Sequence, residues 1–524
     1  MILGDSNATA ALQPPKRSVT VDDIFRRVAV KNPQQLALID APNRSAFTDG
    51  APLRLTYAQA DRIVCALAGR LRDMGIPTDG IIGIQLPNIV ENALAILAVL
   101  RAGMIAAPLP LLWRRADAIA ALARVGAKAL ITCRQVGAFN HCQLAMRVAS
   151  EVFSIRYVCA FGENLPDGVV PLGDLLTESP GEPLPPLERE RLNNASAHLA
   201  LITFDTGENG IVPVARNHLE MLAGGLSVTL ESKLAQGARI LSTIAPASFA
   251  GVSLTLMPWL LSAGTLSLHH PFDPQHLAQQ QATDSCRTLV LPGPVALLLA
   301  ESGAFARDGV RTIIGAWRAP ERLATSAAWR EPAAVLVDVP IFGEAGFLAA
   351  RRMPDGRAAP LPLGPAAEPH GNSRGPLAAE AVRTAAGTLA LRGPMVPRYA
   401  FPPGIERSGL PHFKIDRFGL VDTGYTCRVD PEAKALVVTV PPAGLVSIGG
   451  YRLPLHELRE AVERIDAGAT LAALPDPLTG QRLVGNAERR DMVAAALTAV
   501  GVNPLVAAAF RQRSEPPPAA ESAT

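Results

Sequence analysis

The sequence is short of the groups from which several common functions are built. Residues 203–230 contain no lysine, although residues 203–210 have the small and hydroxyl side chains of an anion-binding loop. The six cysteines, at positions 65, 133, 142, 159, 286 and 427, show no paired spacing, so they read as reduced core thiols rather than a disulfide frame or a zinc site. Neither sign of charge dominates: 49 Lys and Arg against 47 Asp and Glu leave a formal net charge of +2. That balance gives no field to gather nucleic acid or an anionic membrane. No long uninterrupted hydrophobic run is present. The most apolar stretch, residues 93–113, holds Arg101, Gly103 and two prolines, and is expected to be a buried helix and strand rather than a membrane span. The first 19 residues carry Pro14, Pro15, Lys16 and Arg17 without an apolar core, so no secretory leader is expected and the chain is expected in the cytoplasm.

What is present describes an ordered α/β protein. With 524 residues, 48% hydrophobic and 18% charged, the chain needs more than one core. Thr56 starts a helical pattern that places Ile63, Leu67, Leu71 and Met74 on one face, and Gly75 and Pro77 close it. A strand at 81–86, a helix at 88–102, a strand at 105–108, a helix at 115–125 and a strand at 129–133 follow with short links. Such alternation implies parallel sheets covered by helices. Residues 165–192, rich in Pro, Glu and Gly, read as a surface connector. The pattern resumes with strands expected at 198–203, 240–246, 265–268, 289–292, 311–314 and 335–342. A second Pro/Gly/Ala-rich stretch covers 361–383, and residues 387–440 form a smaller β element with strands at 389–392 and 436–440. Pro441-Pro442-Ala443-Gly444 is the sharpest break in the C-terminal half. Beyond it lie Gly449-Gly450 and a helix with Leu455, Leu458, Val462 and Ile465 on one face.

The stretch 201–218 is the most informative. A buried strand runs into Thr203 to Gly210, and Asn217 and His218 lead into an apolar helix at 219–226. Thr206, Gly207, Glu208, Asn209 and Gly210 offer hydroxyls and bare backbone for an anion, while Asp205 and Glu208 bring negative charge to the same place. The residues fit either a phosphate loop or an ordinary strand-to-helix loop. His218 reads as structural, and the pairs Arg351-Arg352 and Arg489-Arg490 read as solvated surface.

Several separated stretches, in order, resemble the adenylate-forming superfamily of acyl- and aryl-CoA synthetases, nonribosomal peptide synthetase adenylation domains and luciferases. They are Leu55-Thr-Tyr57, Gly83-Ile-Gln-Leu-Pro-Asn88, Leu97 to Gly103, Ala245-Pro246, Met257 to Thr265, Gly315-Ala316, Leu391-Arg-Gly-Pro394, Asp422-Thr-Gly424 and Gly449 to Leu458. The resemblance covers about residues 21–485. It implies a large N-terminal region of stacked, mostly parallel sheets plus a small β element, followed by a short C-terminal α/β lid. The expected boundaries are 1–18 for a flexible arm, 19–440 for the AMP-binding-like domain, 441–512 for the lid and 513–524 for a disordered tail. It also implies chemistry in which a carboxylate reacts with ATP, releases pyrophosphate and passes to a thiol.

By that resemblance the nucleotide would lie against Thr206 to Gly210, Gly315, Ala316, Phe342, Gly343 and Thr423. Phe249, Gly251 and Trp317 would line the acyl pocket, and Gly449 and Gly450 the passage for a pantetheine arm. The chain departs from the family at each charged position. The phosphate-loop lysine is gone, and Glu208 and Asn209 replace hydroxyls. The aromatic-Gly-x-Thr-Glu motif becomes Phe342-Gly343-Glu344-Ala345-Gly346, without its threonine and magnesium-binding glutamate. The ribose-binding aspartate is Tyr425. The hinge Asp-Arg looks like Val440-Pro441, and no Gly-Lys pair follows Gly485. Glu344 is either a shifted metal ligand or an unrelated polar residue at a strand end. Asp422 is either a displaced ribose ligand or a turn-capping residue. Phe249 and Trp317 are either pocket walls or core, and Gly449-Gly450 is either a passage or a tight turn. The resemblance therefore implies an acyl- or aryl-CoA-synthetase-like protein of degraded or lost adenylation activity. Such a protein keeps a pocket for a carboxylic acid or acyl thioester, or binds a protein partner; ATP with magnesium and CoA are cofactors only if activity survives. The alternatives are a divergent working acid–thiol ligase and a purely structural interaction protein.

Overall fold

The computed structural model describes residues 19–177, 194–208, 210–305, 309–363 and 379–511. The expected arm at 1–18, the tail at 513–524, Asn209, and much of the connectors at 165–192 and 361–383 lie outside them.

Two sheets form the large body. The first is ordered Gly210–Asn217, Leu199–Gly207, Ile105–Pro108, Ile81–Gln85, Ala129–Cys133, Tyr157–Phe161, Val169–Pro171; all neighbours are parallel except the Leu199–Gly207/Gly210–Asn217 pair. The second has parallel strands ordered Val335–Phe342, Thr312–Trp317, Thr288–Pro292, Arg239–Ser242, Thr265–Leu268, Leu36–Ile39, with antiparallel edges. The Val90–Arg101 helix is buried along its whole length. A helix buried on every side needs no polar stripe, so residues 93–100 are apolar throughout, and the charged residues near its ends, Glu91 and Arg101, are paired with Arg44 and with Asp22 and Asp61. The Tyr57–Asp73 helix starts where expected, at a Thr56 capping box completed by Gln59. Tyr57 stacks on Trp259 at 5.9 Å and donates its hydroxyl hydrogen to the Gly264 carbonyl.

A five-stranded antiparallel sheet follows, in the order Leu361–Pro362, Ala435–Val440, Val421–Asp430, Thr388–Arg392, Glu380–Arg383. Residues after Val440 build a separate four-stranded antiparallel sheet, Tyr451–Pro454, Leu445–Ile448, Gly480–Asn486, Thr470–Asp476, with helices Leu455–Ile465 and Arg490–Val500. Its core, centred on Val446, Val462, Val493, Leu497 and Phe510, is its own. Among the described residues no helix is long and apolar enough to cross a membrane.

Two expectations are corrected. The residues after Thr203 do not form a strand–loop–helix. The strand runs to Gly207, Gly207 pairs with Gly210, and a second strand returns to Asn217 before the His218–Glu231 helix begins. Ile211, Val212 and Val214 are β-branched and favour that returning strand. Arg352 is not a solvated surface residue: its side chain is 3% exposed and pairs with the equally buried Asp338 at 2.8 Å.

Candidate active-site cleft

The C-terminal ends of the central strands are where open α/β sheets place ligands. Here those ends meet the C-terminal sheet, and charged side chains from both sides occupy the junction. Asp205, near the end of the Leu199–Gly207 strand, is the hub. One carboxylate oxygen accepts from its neighbour Thr206 N at 2.9 Å and from Arg452 Nη1 at 2.9 Å; the other accepts from Glu344 N at 3.1 Å. Arg452 comes from the Tyr451–Pro454 strand and also donates through Nη2 to the Tyr425 hydroxyl at 3.1 Å. Burial pulls the Arg452 guanidinium down, but Tyr425 and Asp205 outweigh it and raise its pKa above the usual arginine value. Gly343 lies directly beneath this pair. Its φ is +58°, and a Cβ there would come within 2.6 Å of Asp205 Oδ2 and would overlap the Arg452 guanidinium. Glycine is required both by the backbone and by the closeness of the ion pair.

Tyr425 stands where the resemblance expects the ribose-binding carboxylate. It is 1% exposed, with its ring edge-on to Phe342 at 5.6 Å. Burial raises its pKa, against the pull of Arg452. Thr423, also buried, donates to the Leu389 carbonyl at 2.7 Å. Asp422 is exposed. One oxygen accepts from Gly424 N at 2.9 Å in an Asx turn, and the other accepts from Thr388 Oγ1 at 2.8 Å.

Behind the cleft lies a second charged cluster. Glu344 Oε2 accepts from Thr203 Oγ1 at 2.5 Å and from Phe249 N at 3.1 Å, and sits 3.7 Å from Arg216 Nη1. Arg216 Nη2 donates to the Glu344 carbonyl, and the guanidinium lies 3.7 Å from the Phe249 ring centroid. Desolvation raises the Glu344 pKa and pulls Arg216 down to about 10, each opposed by the other's charge. Phe249 is fully buried between this guanidinium and Phe347, at 5.6 Å. Gly251 packs so tightly on the Ala245 carbonyl that no side chain fits there.

On the other side of the cleft, Trp317 is 3% exposed and donates Nε1–H to Asp338 Oδ1 at 2.7 Å, with its indole over Gly293. Gly315 shares that face, next to Gly293, and Ala316 is buried. Gly449 and Gly450, with φ of +55° and +101°, form the two-residue turn between Leu445–Ile448 and Tyr451–Pro454. Arg318 packs against Gly450 where a Cβ would be. Tyr451 accepts from Leu112 N at 3.3 Å, and Arg322 donates to the carbonyls of Gly480, at 2.8 Å, and Asp476. Glu208 reaches the start of the C-terminal segment, where a Cβ on Gly444 would lie 2.7 Å from its carboxylate.

The structure thus brings Thr206, Phe342, Gly343 and Tyr425 together around the Asp205–Arg452 pair, with the Gly449-Gly450 turn leading into the Arg452 strand, and commits Glu344 to the inner cluster. Asp205 accepts three hydrogen bonds from protein donors, and Glu344 is engaged in the inner cluster. Among the described residues no group of three or more His, Cys, Asp or Glu is placed to hold a metal ion. Sequence reasoning missed Arg452, whose partner lies 247 positions away. The signal was the basic residue right after Gly449-Gly450-Tyr451, in a segment with no lysine after Lys434.

Stacked parallel sheets, an antiparallel sheet beside them and a small α/β unit over their strand ends define the architecture of adenylate-forming enzymes. The chain belongs to the AMP-binding enzyme family, which matches residues 25–338. Across 92% of its length it is similar to the amide bond synthetase McbA from Marinactinospora thermotolerans, covering 94% of that chain with a TM-score of 0.66 at 17% identity, a likeness of fold. Tyrocidine synthase 1 of Brevibacillus parabrevis is 33% identical over 93 residues, 18% of this chain and 8% of that protein. The salicyl-AMP ligase / salicyl-S-ArCP synthetase of Mycobacterium tuberculosis is 28% identical over 171 residues, 32% of this chain and 29% of that protein. The matched part is therefore less than a third of either relative's length.

Proposed function

We propose that this AMP-binding family member has lost efficient adenylation and retains a pocket for a carboxylic acid or acyl thioester. The observation that supports the reading is the Asp205–Arg452–Tyr425 cluster, in which Tyr425, at the position where the resemblance expects the ribose carboxylate, and Asp205, at the head of the expected phosphate loop, are both engaged by Arg452. A nucleotide would have to break that ion pair and then meet Glu208 and Asp205, two negative charges against a triphosphate. Removing one well-placed electrostatic contact to a transition state costs about 10²–10³ in rate. The lysine, the metal-binding glutamate and the ribose aspartate are all replaced, and even far from additively their loss slows adenylation by orders of magnitude. The family's names and the whole-chain fold favour one second reading, a working acid–thiol ligase. ATP–pyrophosphate exchange with a panel of carboxylic acids separates the two. Exchange at background is the expected result; robust exchange with any acid overturns the proposal.

A further inference from the structure

Two carboxyl groups share one guanidinium inside the large body. Arg44 Nη1 donates to Asp40 Oδ2 at 2.5 Å, and Arg44 Nη2 donates to Glu91 Oε1. All three side chains are out of water: Arg44 is 5% exposed, and Asp40 and Glu91 are 0% exposed. With every group ionised, the cluster would hold one negative charge that neither protein nor solvent offsets. The two carboxyls are not equally placed to bear it. Asp40 Oδ1 accepts from Val90 N at 2.8 Å and Oδ2 from Leu53 N at 3.0 Å, so two backbone donors meet its charge besides Arg44. Glu91 Oε1 is held by Arg44, but among the described residues Glu91 Oε2 is buried with no donor. An ionised oxygen without donor or solvent is costly, and a carboxyl so placed takes up a proton instead.

The cluster ties the two sheets of the large body together. Asp40 directly follows the Leu36–Ile39 strand of the second sheet. Glu91 stands in the first turn of the Val90–Arg101 helix, which follows the Ile81–Gln85 strand of the first. The other titratable groups around it are neutral or already paired. Burial pushes the Cys133 thiol, at the end of the Ala129–Cys133 strand, up to about 12. Asp49, whose carbonyl accepts from Arg44 Nη2 at 3.2 Å, is paired with Arg134 at 2.5 Å. Desolvation, and after it the charge of Asp40, raises the Glu91 pKa to about 7 against the pull of Arg44.

We propose that the folded protein holds a proton on the Glu91 carboxyl, which makes the Asp40–Arg44–Glu91 cluster a proton-dependent clamp between the two sheets. With the proton bound the cluster is neutral: one guanidinium, one carboxylate and one carboxylic acid. When the proton passes to solvent, a second negative charge appears in the same dry site, and repulsion loosens the hold of Asp40 on the Val90 and Leu53 amides. The folded pKa lies above the ordinary glutamate value of about 4.3. The contribution of the clamp is therefore whole below that pH and is lost as pH rises through about 7. None of this depends on what the cleft binds.

The test uses the full chain with Glu91→Gln, which keeps an acceptor for Arg44 but cannot ionise, and Asp40→Asn, which removes the neighbouring charge. Between the ordinary and the folded Glu91 pKa, urea denaturation should show the wild-type unfolding constant rising faster with pH than that of Glu91→Gln, by up to about tenfold per pH unit. Over the same window, hydrogen-exchange protection at the Val90 and Leu53 amides should fall in the wild type and hold in Glu91→Gln. Infrared spectra at the acid end should show a carboxylic-acid carbonyl band that Glu91→Gln lacks. Asp40→Asn should lose that band too, because Arg44 then balances an ionised Glu91; this arm decides the matter should Glu91→Gln fail to fold. Equal slopes in wild type and Glu91→Gln, or a band unchanged in Asp40→Asn, overturn the bound proton. A difference in slope with unchanged protection at Val90 and Leu53 overturns the clamp.

Discussion

Two arginine–carboxylate clusters lie on either side of the Phe342-Gly343-Glu344 turn, and they do different work. The inner one, Arg216 with Glu344 and Thr203, sits inside the large body, where its side chains are 0% and 7% exposed for the two charges. The outer one, Asp205 with Arg452 and Tyr425, joins the large body to the C-terminal sheet, with exposures of 15% and 13% for Asp205 and Arg452. The inner cluster ties Thr203, Arg216, Phe249 and Glu344 together within the large body. The outer one links two separately cored parts of the chain, so it can open without unfolding either. Adjacent residues of one motif, Gly343 and Glu344, thus serve a closing contact and a structural brace in turn.

Breaking the inner cluster should have the largest effect. Arg216→Ala leaves Glu344 buried without its cation, and urea denaturation should report a loss of about 3–5 kcal/mol. A loss below about 1 kcal/mol would show that the two clusters do not differ as described.

The pH dependence sharpens the same contrast. The folded pKa of Glu344 is raised by desolvation, so folding takes up a proton there. Its contribution is therefore fully present below the ordinary glutamate pKa of about 4.3 and is lost as pH rises through the folded value. Glu344→Gln should flatten stability against pH in that window by up to about 1.4 kcal/mol per pH unit. An unchanged slope would mean that Glu344 does not titrate differently on folding.

Opening the outer cluster should cost least. Asp205→Asn or Arg452→Met should lower stability by about 1–2 kcal/mol and speed limited proteolysis near residues 440–444, with both cores intact by circular dichroism. Proteolysis as slow as in the wild type would show that the pair does not hold the two parts together.

How much of this was legible in the sequence follows from the range of each interaction. Strands such as Ala129–Cys133 and Ile105–Pro108 and the Thr56-capped helix are set by local periodicity and capping, and they were read with nearly the observed bounds. The hairpin at Gly207–Gly210 is not legible in the sequence because two glycines with polar residues between them suit a phosphate loop and a two-residue turn alike; β-branched Ile211, Val212 and Val214 favour the returning strand, whereas Pro213 among them argues against it. The replaced family positions were visible as residue types. What filled them was not, because the Asp205–Arg452 pair and the exposed turn role of Asp422 depend on which strands the fold brings together. Arg352 was misread for the same reason: nothing local marks Asp338 as its partner.

Titration calorimetry of the full chain with ATP and magnesium tests most directly whether the protein's own side chains have taken over the nucleotide cleft. The account predicts no saturable heat up to about millimolar ATP, a binding free energy weaker than about −4 kcal/mol. Saturable binding in the micromolar range, abolished by Tyr425→Ala or Gly343→Ala, would contradict it.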